Sequence, residues 1–155
     1  MASTVISENL KVKITETINL NGKNQGGTTE LVINSINEIS KRIVEVSTTE
    51  ATILTFSAAV GQGTYVAANV RYMRFTNLDD THYIMLTFKD EDNTEFRVKV
   101  DAGQSFIFNG DNSGGLVDTM KANGSALASG LADLYDVTVD ADSASCNVEI
   151  FIASA

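Results

Sequence analysis

The residues best suited to chemistry in this 155-residue chain are a single histidine, His82, and a single cysteine, Cys146, set among twenty acidic side chains. His82 follows Asp79-Asp80-Thr81 in a run of turn-forming residues. A nucleophilic triad built on it would need one of many serines, yet no Gly-x-Ser-x-Gly elbow marks any of them. An exposed turn histidine is the expected state. One histidine and one cysteine also fall short of the usual His/Cys ligand set for zinc within one chain. Cys146 cannot form an internal disulfide, and its setting in Cys146-Asn147-Val148-Glu149-Ile150 predicts a small, buried, unreactive thiol.

Carboxylates are the only groups abundant enough for a metal or an acid–base site. The run Asp90-Glu91-Asp92-Asn93 offers hard oxygen ligands, but without the glycine and distant glutamate of a calcium-binding EF-hand loop. Asn109-Gly110-Asp111-Asn112-Ser113 and Asp140-Ala141-Asp142-Ser143 are similar. All three are read as solvated turns between strands, with no metal. Arg71, Arg74, Arg97 and Lys99 are read as cross-strand partners of nearby acids rather than as a basic stripe. A sugar-binding site would need exposed aromatics, and Tyr65 and Tyr83 are the residues that could serve. No catalytic residue and no cofactor are expected.

The elements that would position these residues are strands. Leu10-Lys11-Val12-Lys13-Ile14 alternates apolar with charged residues, and Ile18 and Leu20 keep the same parity beyond Glu16, which predicts one strand with a core face. Asn21 to Gly27 supplies turn residues before Leu31-Val32-Ile33. Arg42–Thr48, Thr52–Phe56, Val70–Thr76, Tyr83–Phe88, Phe96–Asp101 and Ser105–Phe108 read as short strands, the central ones as an antiparallel meander. Ile84, Leu86 and Phe88, and Phe96, Val98 and Val100, are expected to fill one core. Asn109–Leu134 reads as a long excursion with a weak helical stretch at Leu116–Lys121, and Val137–Val139 and Val148–Ile152 close the chain. The expected fold is all-β: an antiparallel β-sandwich, jelly-roll-like, with at most one short helix. Residues 1–9 are taken as an N-terminal arm and residues 10–155 as a single domain.

A net charge of −9 disfavours contact with nucleic acid or anionic lipid, and no apolar run approaches bilayer length. The N-terminus lacks a signal-peptide pattern, so synthesis and folding in a cytosol are expected. No proline occurs, which leaves the turns to Gly, Asn, Asp and Ser.

The runs Val70-Arg71-Tyr72-Met73-Arg74-Phe75-Thr76-Asn77-Leu78-Asp79-Asp80 and Phe96-Arg97-Val98-Lys99-Val100-Asp101-Ala102-Gly103-Gln104-Ser105-Phe106, with the ending Ala144–Ala153, resemble small virion structural proteins of tailed bacteriophages. The resemblance implies a capsid decoration, or cement, protein that contacts the major capsid protein or other virion proteins, often as a homotrimer, and that resides in the virion. A phage tail component and a receptor- or sugar-binding module stay open. Val5, Ile6, Leu116, Val117, Met120, Leu127 and Leu131 lie in segments poorly accounted for by a core, the N-terminal arm and the excursion, and are the candidate assembly contacts.

Overall fold

A computed structural model describes residues 5–61, 63–121 and 130–155. Thirteen strands are defined in it: β1 (Glu8–Thr15), β2 (Asn19–Leu20), β3 (Lys23–Asn24), β4 (Thr28–Ile36), β5 (Glu38–Val46), β6 (Ala51–Ser57), β7 (Tyr65–Val66), β8 (Val70–Asn77), β9 (Ile84–Asp90), β10 (Glu95–Val100), β11 (Ser105–Asn109), β12 (Leu134–Ala141) and β13 (Cys146–Ser154). Among the described residues the one helical element is a 3-10 turn at Ala67–Asn69.

Two sheets form the body, with strand orders β11-β8-β13-β5 and β10-β9-β12-β6-β7. Antiparallel pairs β9/β10, β8/β11, β6/β12 and β5/β13 nest one inside the next, while β5 and β6, β8 and β9, β10 and β11, and β12 and β13 each divide between the two sheets. That nesting is jelly-roll topology, as expected from the sequence. Among the described residues the two-residue β7 alone pairs parallel, on β6.

Alternation decides what the sheets enclose. Phe96, Val98 and Val100 lie opposite Phe88, Leu86 and Ile84 in register, so both triplets point into one core. Ile84, Leu86 and Phe88 are fully buried there with Met73, Phe75, Val137, Val139, Ile150 and Ile152. Each such side chain contributes roughly 1.5–3 kcal/mol by leaving water.

Three expectations are corrected. The central strands do not form a meander, because β8 and β9 sit in opposite sheets. The connection through Leu78–Tyr83 is too long for a tight hairpin and long enough to step across the gap of about 10 Å between sheets. Leu116–Lys121 is not helical. Its backbone is committed to distant partners: Leu116 N–H donates to the Ala67 carbonyl, Leu134 N–H to the Leu116 carbonyl, and Met120 N–H to the Ala132 carbonyl. Asp118 at φ 52° breaks any helical path between them. Gly115 starts this return with φ 63°, and a Cβ there would stand 2.4 Å from the Ala67 carbonyl oxygen. The strand read from Leu10 to Leu20 is likewise two strands, interrupted around Glu16, where Gly26 crosses so closely that a Cβ would stand 1.9 Å from the Glu16 carbonyl oxygen.

Candidate assembly surface

The chain from Glu8 to Ile36 runs out and back as one long hairpin. β1 pairs β4, β2 pairs β3, and Glu16 N–H to the Gly27 carbonyl and Gln25 N–H to the Ile18 carbonyl bridge the interval. Asn21 at φ 52° and Gly22 at φ 75° make the tip, the positive-φ pair that two-residue hairpin turns require.

The base of this hairpin is a third layer. Leu10, Val12, Leu31, Ile33 and Ile36 pack on the outward face of the β11-β8-β13-β5 sheet, against Tyr72, Ile107, Phe151 and Ala153. Tyr72 and Phe151 meet edge to face at 6.0 Å beneath it. Beyond Ile14 and Thr29, which still flank a small cleft over Tyr72 and Ile107, support stops. From Lys13 to Glu30 every residue except the half-buried Gly26 is exposed, so the distal half of the hairpin projects from the body. One side of this arm is polar and internally satisfied, with Lys13 paired to Glu30 at 3.2 Å and the Thr15 and Thr28 hydroxyls 3.1 Å apart. The apolar sequence parity that begins at Leu10 and Val12 continues through Ile14, Ile18 and Leu20, of which Ile18 is 46 % and Leu20 56 % exposed. A two-stranded hairpin is marginal in water without an apolar face to bury.

Neighbouring apolar surface is also uncovered. β5 is the edge strand of the sheet that carries the hairpin base, and its Ile39 and Ile43 are each 60 % exposed. Val5, Ile6, Leu10, Ile36 and Ile39 line a shallow cleft of about 390 Å³ where the N-terminal segment passes β5.

The structure separates the candidate contacts expected from the sequence. Val5, Ile6 and Leu131 are exposed, Ile6 at 83 %. Leu116 and Met120 are corrected: they belong to the protein's own core, and Val117 packs on it half-buried. Their apolar character is spent inside the subunit because the excursion folds back through the Ala67 and Ala132 carbonyls. Leu127 lies outside the described residues. Sequence reasoning missed Ile14, Ile18, Leu20, Ile39 and Ile43. The first three carry strand alternation, and they are surface because, among the described residues, no sheet lies beneath the outer part of the hairpin. The signal at hand was Glu16 interrupting the parity, followed by the turn-rich Asn21–Gly27.

The groups that the sequence singles out for chemistry are largely occupied with structure. Asp79 Oδ1 accepts the N–H of Thr81 at 2.8 Å and of His82 at 2.6 Å, and these backbone bonds hold its carboxyl below the usual range. His82 Nδ1 lies 3.3 Å from the same oxygen, half-buried rather than fully exposed as expected, because its carbonyl takes a hydrogen bond from the buried Asn77 side chain. The thiol of Cys146 is buried, as expected, and burial pushes its pKa up. Asp90 accepts hydrogen bonds from Asp92 N–H and from Thr94 N–H and hydroxyl. Burial pushes its carboxyl up, but those bonds outweigh it and the net shift is downward. Asp111 is similarly engaged by Ser113 and Gly114. Asp79, Asp90 and Asp111 thus spend carboxylate oxygens on the backbones of their own turns.

Arg74 pairs with Glu149 at 2.7 Å on one sheet, and Arg97 with Glu50 and Asp140, both at 3.1 Å, on the other. Arg71 donates to the Ala68 carbonyl. Arg74 and Arg97 thus pair with acids on other strands, as expected, whereas Arg71 bonds a carbonyl and Lys99 pairs with Asp101 of its own segment at 3.6 Å. The Tyr65 hydroxyl bonds Ser40, and Lys99 stands over the Tyr83 ring at 4.5 Å, so neither aromatic is an open platform.

No family model matches the chain, and no curated protein does. Among solved structures, a chain from "Bacillus endospore appendages form a novel family of disulfide-linked pili" is similar at a TM-score of 0.44 and 10 % identity, over 99 % of this chain and 92 % of that one. So distant a likeness does not bear on role.

Proposed function

We propose that this protein is a non-enzymatic structural subunit that joins a larger assembly through its N-terminal hairpin arm. The observation that carries this reading is the projection of residues 13–30 with Ile14, Ile18 and Leu20 turned to water. An exposed arm carrying Ile14, Ile18 and Leu20, which no other described residue covers, is suited to burial against another chain. The occupied carboxylates and the buried thiol support a role without catalysis.

The resemblance of Val70–Asp80 and Phe96–Phe106 to phage virion proteins, together with a jelly-roll body, supports a finer form of the reading. In it the protein decorates or cements a tailed-phage capsid on the major capsid protein, as a homotrimer made in the host cytoplasm and carried in the virion. Jelly rolls serve repeatedly as capsid modules.

The test is quantitative attachment. Wild type and an Ile18→Glu/Leu20→Glu variant, shown by circular dichroism to be equally folded, are produced with assembling phage particles, and their copies per purified particle are counted. Wild type on heads and loss of the variant supports the reading. Copies on tails would reassign the location. Equal occupancy of both proteins, or no association of either with particles or with itself, would overturn it.

A further inference from the structure

Resting on that assembly reading, we propose that the partner of the arm is a second copy of this chain, and that the receiving surface is the outward face of β5 around Ile39 and Ile43. Three observations converge there. The hairpin base already packs on the outward face of this sheet, within its own chain, against Tyr72, Phe151, Ala153 and Ile107. β5 is the next strand over, pairing Ile39 with Ala153 and Ile43 with Glu149, so the receiving face continues a contact the fold already makes. The hairpin's apolar stripe outlasts its own sheet, while the sheet has apolar residues its own hairpin does not cover. Each half is complementary to the other, but one molecule does not satisfy both.

Charge favours the same pairing. Lys11, Lys13 and Lys23 are balanced by Glu8, Glu16 and Glu30, so residues 1–36 are neutral and the net −9 resides in the remainder. β5 is locally neutral too, carrying Lys41 and Arg42 against Glu38 and Glu45. Arm on β5 joins two neutral patches and lets copies associate while their acidic turns stay apart. By contrast, the apolar groove of about 420 Å³ lined by Phe56, Ala67, Val117 and Tyr135 has Glu91 and Asp133 in its wall. A neutral isoleucine–leucine stripe is a poorer match for it.

The contact is heterologous, since arm and β5 are different surfaces, and head-to-tail contacts close into a ring when the rotation permits. A three-membered ring is the homotrimer of the preceding section.

Single-cysteine exchange tests this in the full chain, with the buried Cys146 as an internal blank. The Leu20→Cys and Ile43→Cys variants are treated with a short bismaleimide, separately and mixed. Cross-linked dimers in the mixture and not in either variant alone are expected. Dimers of the Leu20→Cys variant alone would mean arm-to-arm contact, and no dimers in the mixture would mean another receptor; either overturns the assignment. Ile43→Glu should weaken self-association at least tenfold by sedimentation. If Ile43→Glu leaves association unchanged while Ile18→Glu/Leu20→Glu abolishes it, the arm stands as an assembly element and β5 falls as its receptor. If neither substitution changes association or particle binding, the assembly reading itself fails.

Discussion

Phe75 of β8 and Phe88 of β9 meet edge to face across the two sheets, with ring centroids 5.8 Å apart. Phe88 also stacks on Phe96 at 5.1 Å and on Phe108 at 5.3 Å and touches Phe106 at 5.4 Å. One side chain thus ties β8, β9, β10 and β11 together, the two inner antiparallel pairs of the jelly roll. Truncating it would leave a cavity bounded by both sheets, which relax only in part to fill such a space.

Phe88→Ala is therefore expected to cost about 3–5 kcal/mol, and Leu86→Ala beside it about 2–5 kcal/mol. Urea unfolding followed by circular dichroism measures both. A cost under about 1 kcal/mol for Phe88→Ala would contradict the shared core.

Asp90 is buried at the β9–β10 turn and accepts three hydrogen bonds from Asp92 and Thr94. Asp90→Ala leaves those donors without their partner and should destabilise by about 1–3 kcal/mol. The exposed Asp92→Ala, two residues away, loses only an ion pair with Lys121 at 4.0 Å and should cost under about 1 kcal/mol. Thermal unfolding of the two variants separates a structural carboxylate from a solvated one.

Acid should destabilise the protein through Glu149, Glu50 and Asp90. Hydrogen bonding from Arg74 lowers Glu149 and from Thr138 lowers Glu50, and the Asp90 carboxyl is also below its ordinary value. Each binds protons more weakly folded than unfolded, so its contribution is full above the unfolded values of 4.5 and 3.8 and is lost as pH falls through the folded ones. Asp136 opposes this, because burial raises its carboxyl and its contribution is lost as pH rises. Stability should be flat from neutrality to about pH 5 and then fall, with a shallower fall in Glu149→Gln. Urea midpoints across pH 3 to 7 give the comparison.

Cys146 should resist a maleimide in the folded protein and react at once in denaturant, since the thiol is enclosed and its pKa is raised. Intact-mass measurement over time checks this. His82→Ala should leave assembly and particle attachment unchanged. A folded His82→Ala variant that has lost function would assign the histidine a role its turn geometry does not show.

Gly115→Ala should cost more than about 1 kcal/mol, since it strains a left-handed backbone and drives a methyl group against the Ala67 carbonyl. Gly130, with nothing among the described residues near the position of a Cβ, should accept alanine far more easily. A thermal shift assay on the pair distinguishes the two sites.

Alternation in the sequence was sufficient to determine that Ile84, Leu86 and Phe88 share a core with Phe96, Val98 and Val100, because a period of two commits successive side chains to opposite faces. The absence of proline and the clusters of Asn, Gly and Asp likewise located the turns. Periodicity holds no information about which strand lies beside which, so only the tertiary structure decided that β8 and β9 part into opposite sheets. The same limit governs the assembly surface. Leu116 and Ile18 are equally apolar as letters, yet the first is drawn into the core by backbone bonds to Ala67 and Leu134. The second is left in water because the sheet beneath its hairpin ends before it does. Whether an apolar residue is core or contact depends on what lies across from it, and that is a property of the folded chain.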